Sequence, residues 1–185
     1  MIKTQIIIAG IGGQGVLFAS RIFSELGLRL GLDVLGSEIH GMSQRGGSVV
    51  AHLKLGGFHS SLIRTGAADI FYSFSEEETY RSLRFLKNGG VCFVNLKDPK
   101  SFDPAILSYL KQKRIVFRSI DAGEGASRMG FSKSANIVLI GFSVGSGLVP
   151  FGYADTRFVL ASVSRKKDRE MNLKAFEFGF EKARA

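Results

Sequence analysis

The sequence predicts an α/β domain: a mainly parallel sheet with helices on both faces and one antiparallel hairpin inserted into it. Three observations carry this. Short, continuously apolar, β-branched runs such as "TQIIIAG" and "GVCFVNL" mark strands buried on both faces. Stretches with helical spacing alternate with them, and strand, helix, strand in that order implies right-handed crossovers within a parallel sheet. One segment, "SVVAHLKLG", breaks the plan with a period of two, placing Val49, Ala51, Leu53 and Leu55 on one side and Val50, His52 and Lys54 on the other. With a glycine-rich turn joining the first strand to the first helix, the arrangement is Rossmann-like.

The elements follow in order. "TQIIIAG" is the first strand, and Val16, Leu17, Ile22 and Leu26 define the helix after it, with Gly31 placed to end it. "DVLGSE" is the second strand, after which "EIHGMSQRGGSV", Glu38 to Val49, reads as a loop. The period-two strand from Ser48 is punctuated by Gly56-Gly57, and "FHSSLI" continues it to Ile63, giving the antiparallel excursion. "ADIFYSF" restores the α/β rhythm. Ser75 and Glu78 form a capping box for "EEETYRSLRFLKN", and Gly89 stands where that helix would stop. "GVCFVNL" is a buried strand, Asp103 and Pro104 open the helix "DPAILSYLKQK", and "RIVFRSIDA" is the next strand. The last third is helical. "SANIVLIGFSVGSG" is a buried, glycine-flecked helix suited to close packing, and two further helices with basic ends follow it. No repeat, low-complexity tract or linker divides the chain, so residues 1–185 form a single domain.

Composition sets the outer limits. Hydrophobic residues make up 45% and charged residues 22%, which is an ordinary globular balance and not that of a disordered chain. The formal charge of +9 would suit an anionic cofactor, an acidic protein partner or nucleic acid. Nucleic acid is disfavoured, because Phe and Tyr fall mostly inside apolar periodic runs where core packing explains them. No apolar run approaches the ~20 residues needed to span a bilayer, and no cleavage signal follows the first strand, so a cytoplasmic location without membrane contact is expected. The single cysteine, Cys92, lies in an apolar strand and cannot pair with another, so the chain by itself holds neither an iron–sulfur cluster nor a cysteine-ligated metal.

Two stretches carry chemistry. "GIGGQG" places Gly10, Gly12 and Gly15 in G-x-G-x-x-G spacing between a strand and a helix, with Gly13 and Gln14 between them. The first glycine permits the tight turn, the second lets something approach the backbone, and the third allows close helix packing. Amides at the helix start favour an anion. The turn therefore reads equally as a bare βα connection or as a cofactor-binding site, and a free-standing NAD(P)-binding protein or reductase is the rival function. Its acid would be Glu38, which runs into a hairpin where a second crossover helix would be expected. The second stretch is the loop itself. Glu38, His40, Met42, Gln44 and Arg45 form a candidate active-site loop, with Arg45 before Gly46-Gly47 as a guanidinium on a sharply bending backbone. Arg45 suits gripping a carboxylate or phosphate, or pairing with Glu38; His40 suits a proton carrier or a polar cap; Met42 suits an aromatic pocket or simple filling.

Together, "AGIGGQGVLFASRIFSE", "SEIHGMSQRGGSVVAHLKLG", "SLIRTGAADIFYSF" and "NLKAFEFGFEKA" resemble, in this order, the small (gamma-type) subunit of the 2-oxoacid:ferredoxin oxidoreductases, and "HGMSQRGG" looks most like the indolepyruvate branch. The resemblance implies an enzyme subunit, inactive alone. It implies thiamine diphosphate, Mg2+, [4Fe–4S] clusters and CoA in the assembled enzyme, none held by this chain. It further implies a larger thiamine- and cluster-carrying catalytic partner, and electron delivery to ferredoxin through the complex. The loop would then shield a reactive intermediate on the partner from water.

Overall fold

In the computed structural model the described residues are 3–41, 46–98, 100 and 102–185. Six strands form one sheet in the order β2-β3-β1-β4-β5-β6: β1 (Thr4–Ile11), β2 (Val34–His40), β3 (Ser48–Leu55), β4 (Ala68–Ser73), β5 (Leu86–Asn95) and β6 (Val116–Ile120). The pairs β1–β4, β4–β5 and β5–β6 are parallel, while β3 is antiparallel to both β1 and β2. All strands except β3 therefore point their carboxyl ends at one edge, where ligands bind in open α/β sheets.

Side-chain alternation divides the core in two. Ile6, Ile8, Ile70, Tyr72 and Phe93 face α1 (Val16–Arg29) and the helices α4 (Ala122–Arg128), α5 (Ala135–Gly145), α6 (Tyr153–Val163) and α7 (Arg169–Lys182). Ile7, Ala9, Phe71, Cys92 and Val94 face the other way, onto α3 (Pro104–Gln112) and the turn after α2 (Glu76–Ser82). Cys92 is wholly buried, and burial pushes its thiol well above the usual range, so it is a packing residue. In the larger core Tyr72 hydroxyl bonds Ser143 Oγ at 2.8 Å, and Ser143 donates to Ile140 O at 2.7 Å. Burial raises the Tyr72 pKa against the opposing pull of that bond.

Three glycines let α5 and α7 touch. A Cβ on Gly141 would fall onto Phe176 O, one on Gly145 onto Phe180 O, and one on Gly179 onto Val138 O. Asp103 caps α3 by accepting from Ala105 N at 2.7 Å, with Pro104 in the first turn.

The structure redraws three local expectations. The strand from Ser48 does form, but its hairpin partner is β2, and "FHSSLI" holds no strand. A period-two pattern fixes a strand's faces and is silent on which neighbour it pairs with. Gly56, at φ 103, turns the chain off the sheet, and Ile63 N instead donates to His52 Nδ1 at 3.1 Å. Second, β2 runs through His40, so Glu38 and His40 are strand residues beside a shorter connection. Third, α2 stops at Ser82 and Gly89 lies inside β5 at φ 73. Leu86 pairs with Ala68 and is buried in the sheet core, so the helical spacing of Leu83 and Leu86 is shared by a turn and a strand.

Candidate functional site: the glycine turn and the hairpin root

The turn after β1 is folded on itself. Gln14 N donates to Ile11 O at 3.0 Å, and Gln14 Oε1 accepts from Ile11 N at 2.7 Å. A Cβ on Gly10 would sit 2.9 Å from Val16 Cγ2, so the first glycine serves the turn's own packing. Gly15, at φ 80, lies against Asn136 at the start of α5, whose Nδ2 donates to Gly15 O at 3.2 Å. What approaches the second glycine is the chain itself: Gly12 N donates to Gly47 O at 2.9 Å. In a dinucleotide site the backbone at this glycine lies against a pyrophosphate. Here that amide is engaged by the hairpin.

The start of β3 is held from the other side as well. Ser48 Oγ donates to Glu78 Oε2 at 2.6 Å, and Arg81 Nη1 donates to Glu78 Oε1 at 2.7 Å. The Glu78 side chain is only 1% exposed, so both oxygens of a buried carboxylate are used. Ser75 Oγ accepts from Glu78 N at 3.4 Å, which is one half of the expected capping box. The other half is replaced, because the Glu78 carboxylate reaches Ser48. Sequence reading caught Glu78 as a cap and missed it as a hairpin anchor; a glutamate five residues after a strand carries no signal of a contact 30 residues back.

Of the candidate loop, Glu38 and His40 lie exposed on the same side of β2 with His40 Nε2 3.9 Å from Glu38 Oε2, too long for a hydrogen bond. Both line a cleft of about 580 Å³ between β2 and α1, shared with Leu17 and Arg21. Met42, Gln44 and Arg45 lie outside the described residues. Across α1 a second cleft, of about 530 Å³, opens beside Gly13 and Gly15, with Lys133, Arg165 and Lys167 on its walls. Neighbours Leu17 and Phe18 thus face two different clefts. Asp168 also lines this cleft, so its three cations leave it net basic. No sequence motif announces this cleft, since its cations come from two connections in the last third of the chain.

Among the described residues no three His, Cys, Asp or Glu side chains converge as a metal would require. No helix among them is long and apolar enough to cross a membrane.

Residues 5–182 match the pyruvate ferredoxin/flavodoxin oxidoreductase family. Indolepyruvate oxidoreductase subunit IorB of Thermococcus kodakarensis is 32% identical, covering 100% of this chain and 98% of that protein. Among solved structures, the gamma subunit of a keto/oxoacid ferredoxin oxidoreductase from Geobacter sulfurreducens superposes with a TM-score of 0.76 at 25% identity, over 97% of this chain and 98% of that one. A 2-oxoglutarate:ferredoxin oxidoreductase from Magnetococcus marinus, solved with 2-oxoglutarate, coenzyme A and succinyl-CoA, shares the fold with a TM-score of 0.79 at 20% identity; this chain covers 31% of it. The chain belongs to the pyruvate ferredoxin/flavodoxin oxidoreductase family and is a subunit of a 2-oxoacid:ferredoxin oxidoreductase.

Proposed function

We propose that this subunit serves a thiamine-diphosphate- and CoA-dependent enzyme acting on indolepyruvate or another arylpyruvate, and that its hairpin closes or supports an active site carried by a larger partner. The observation that carries the reading is the double anchoring of the chain where the β2–β3 connection enters β3, by Gly12–Gly47 on one side and Ser48–Glu78 on the other. A segment meant to serve a partner's site needs a fixed base, and oriented polar groups there stabilise charge without reorganising. The likeness to an indolepyruvate subunit supports the substrate class.

The donor sets divide the cofactors. A single cysteine is too few to ligate a [4Fe–4S] cluster, and among the described residues no carboxylates converge, which supports assigning clusters and Mg2+ to the partner. The cleft lined by Lys133, Arg165 and Lys167 fits the phosphates of CoA, the ligand of the Magnetococcus enzyme. When bound, thiamine diphosphate supplies the carbanion stabilisation that decarboxylation needs. This chain's residues bind, orient and exclude water: Glu38 and His40 line the α1–β2 cleft, Gly10, Gly12, Gly13, Gln14 and Gly15 build the turn between the clefts, and Arg45, with Met42 and Gln44, is offered to the substrate or CoA anion. Electrons leave to ferredoxin through the partner.

Anaerobic capture on the tagged chain should retain a larger thiamine- and cluster-containing protein; capture of none would end the subunit-of-this-assembly reading. The NAD(P) rival makes the opposite forecast, quenching of NADH fluorescence by the chain alone, which the engaged Gly12 amide disfavours. Within the assembled enzyme, Arg45→Lys should lower turnover roughly 30- to 150-fold, the equivalent of about 2–3 kcal/mol for one bidentate contact. If Arg45 only shapes the loop with Glu38, Glu38→Gln will do equal damage and the double variant no more.

A further inference from the structure

The two edges of the sheet differ. β6 is five residues long, carries the exposed Arg118 and follows the exposed Arg114. Charge of this kind keeps a sheet edge from pairing. β2 is seven residues long and holds no Lys, Arg or Pro, although the chain as a whole has a formal charge of +9. Among the described residues β2 pairs only with β3, antiparallel. Gly56 N donates to Asp33 O at 2.8 Å and Gly41 N to Ser48 O at 2.8 Å, which fixes the phase of that ladder: the odd-numbered residues bond to β3. Val34, Gly36, Glu38 and His40 therefore turn their N–H and C=O outward, away from the sheet. Gly36, Glu38, Ile39 and His40 are exposed, so no described helix or loop covers this row. Apolar surface runs along it. Ile39 is 48% exposed on one side of the sheet, and on the other Leu17 of α1 is 45% exposed beside Gly36 and Glu38. Leu28, about three turns further along the same face of α1, is 57% exposed.

We propose that β2 is the seam of a homodimer, pairing antiparallel with β2 of a second copy of this chain about a two-fold axis at Ser37. This occupant is favoured because the strand complements itself. With Ser37 at the centre, every outward-facing residue meets another: Val34 meets His40 of the second copy, and Gly36 meets Glu38. The whole outward row of donors and acceptors is then paired. On the face away from α1, Leu35 lies across from Ile39 of the second copy, so each exposed isoleucine is covered. Glu38 stands across from a glycine, so like charges do not face each other directly. The symmetry keeps both α1 helices on one side of the seam, with Leu17 and Leu28 of each along it. The two sheets become one, joined at the edge without basic residues and ended by the two β6 strands. Nothing in this pairing depends on the proposed function.

Sedimentation velocity of the full chain across a concentration series should show a monomer–dimer equilibrium, with a limit at twice 20.1 kDa. Gly36→Pro removes an outward N–H from each copy and leaves the bonds to β3 in place, and a Cβ there would meet nothing closer than 3.9 Å. It should raise the dissociation constant about ten-fold or more, with unchanged circular dichroism. Covalent capture tests the register. Cys92 is the sole cysteine and is wholly buried, so Ser37→Cys carries the one reactive thiol. At the axis its Cα would lie about 4.5 Å from that of its copy, a non-hydrogen-bonded pair within disulfide reach. Ser37→Cys should therefore oxidise to a disulfide-linked dimer far faster than Ser60→Cys, an exposed position on the β3–β4 connection. A monomer at every concentration, its edge left to solvent or to a strand of another chain, would overturn the proposal and leave the subunit reading standing. A dimer unmoved by folded Gly36→Pro, or Ser37→Cys linking no faster than Ser60→Cys, would place the seam elsewhere and overturn it as well. Should Gly36→Pro fail to fold, the two cysteine variants decide alone.

Discussion

The amino-terminal turn and the α5–α7 seam both rely on glycine, yet what approaches each glycine differs. In the seam, Gly141, Gly145 and Gly179 face backbone carbonyls of the opposite helix, which cannot yield without separating the helices. At the turn, Gly10 and Gly15 face side chains, Val16 and Gln14 for one and Asn136 for the other, and a Cβ on Gly12 would meet Gly47 O only at an ordinary 3.6 Å. The seam is therefore architecture, fixed by overlap. The turn is a junction, where the chain occupies a place that other proteins give to a ligand.

That difference ranks the consequences of adding one methyl group. Gly141→Ala should be the most damaging, costing about 3 kcal/mol or more and leaving little folded protein, because its Cβ meets Phe176 O. Urea unfolding would measure it, and a stable Gly141→Ala protein would dissolve the contrast. Gly15→Ala should cost about 1–3 kcal/mol, from φ 80 and the displaced Asn136, yet remain foldable. Adding Asn136→Ala to it should recover part of the loss, which a double-mutant cycle would read.

The pH dependence of stability sharpens the view of the hairpin. His52 is favoured neutral in the folded chain, so its folded pKa lies below the ordinary 6.5. The unfolded chain then binds more protons between those two values, and stability should fall as pH drops below about 6.5 towards the folded pKa. Thermal unfolding from pH 7.5 to 5.5 should show this slope, and His52→Asn should flatten it. Gly12→Ala should be the mildest change, within about 0.5 kcal/mol, since its φ is unexceptional and its contact ordinary. A large loss there would mean that the junction is as unyielding as the seam.

Much of this was legible in the sequence, and the limits were physical. Buried strands, the Asp103 cap and the glycine-flecked α5 were readable because each depends on neighbours within four residues. The pairing of β3 was not, because alternation marks faces and leaves the partner open. Glu78 read as a cap, and its bond to Ser48 emerged only when α2 and the hairpin met. His52 read as the polar side of a half-buried strand, but β3 lies between β1 and β2 and is covered on both faces. The candidate residues Glu38 and His40 do share a cleft, while the basic walls of the other cleft come from residues with no local pattern.

The central claim is that the anchored hairpin completes a site on another chain. It is tested most directly by titrating the larger subunit with this one and following arylpyruvate-dependent ferredoxin reduction with thiamine diphosphate and CoA present. Activity should be absent from this chain alone, rise with added chain and saturate at a fixed ratio. It should fall steeply for Glu78→Gln, which weakens the hold on Ser48. Turnover by the isolated chain, or full turnover by the larger subunit without it, would contradict the claim.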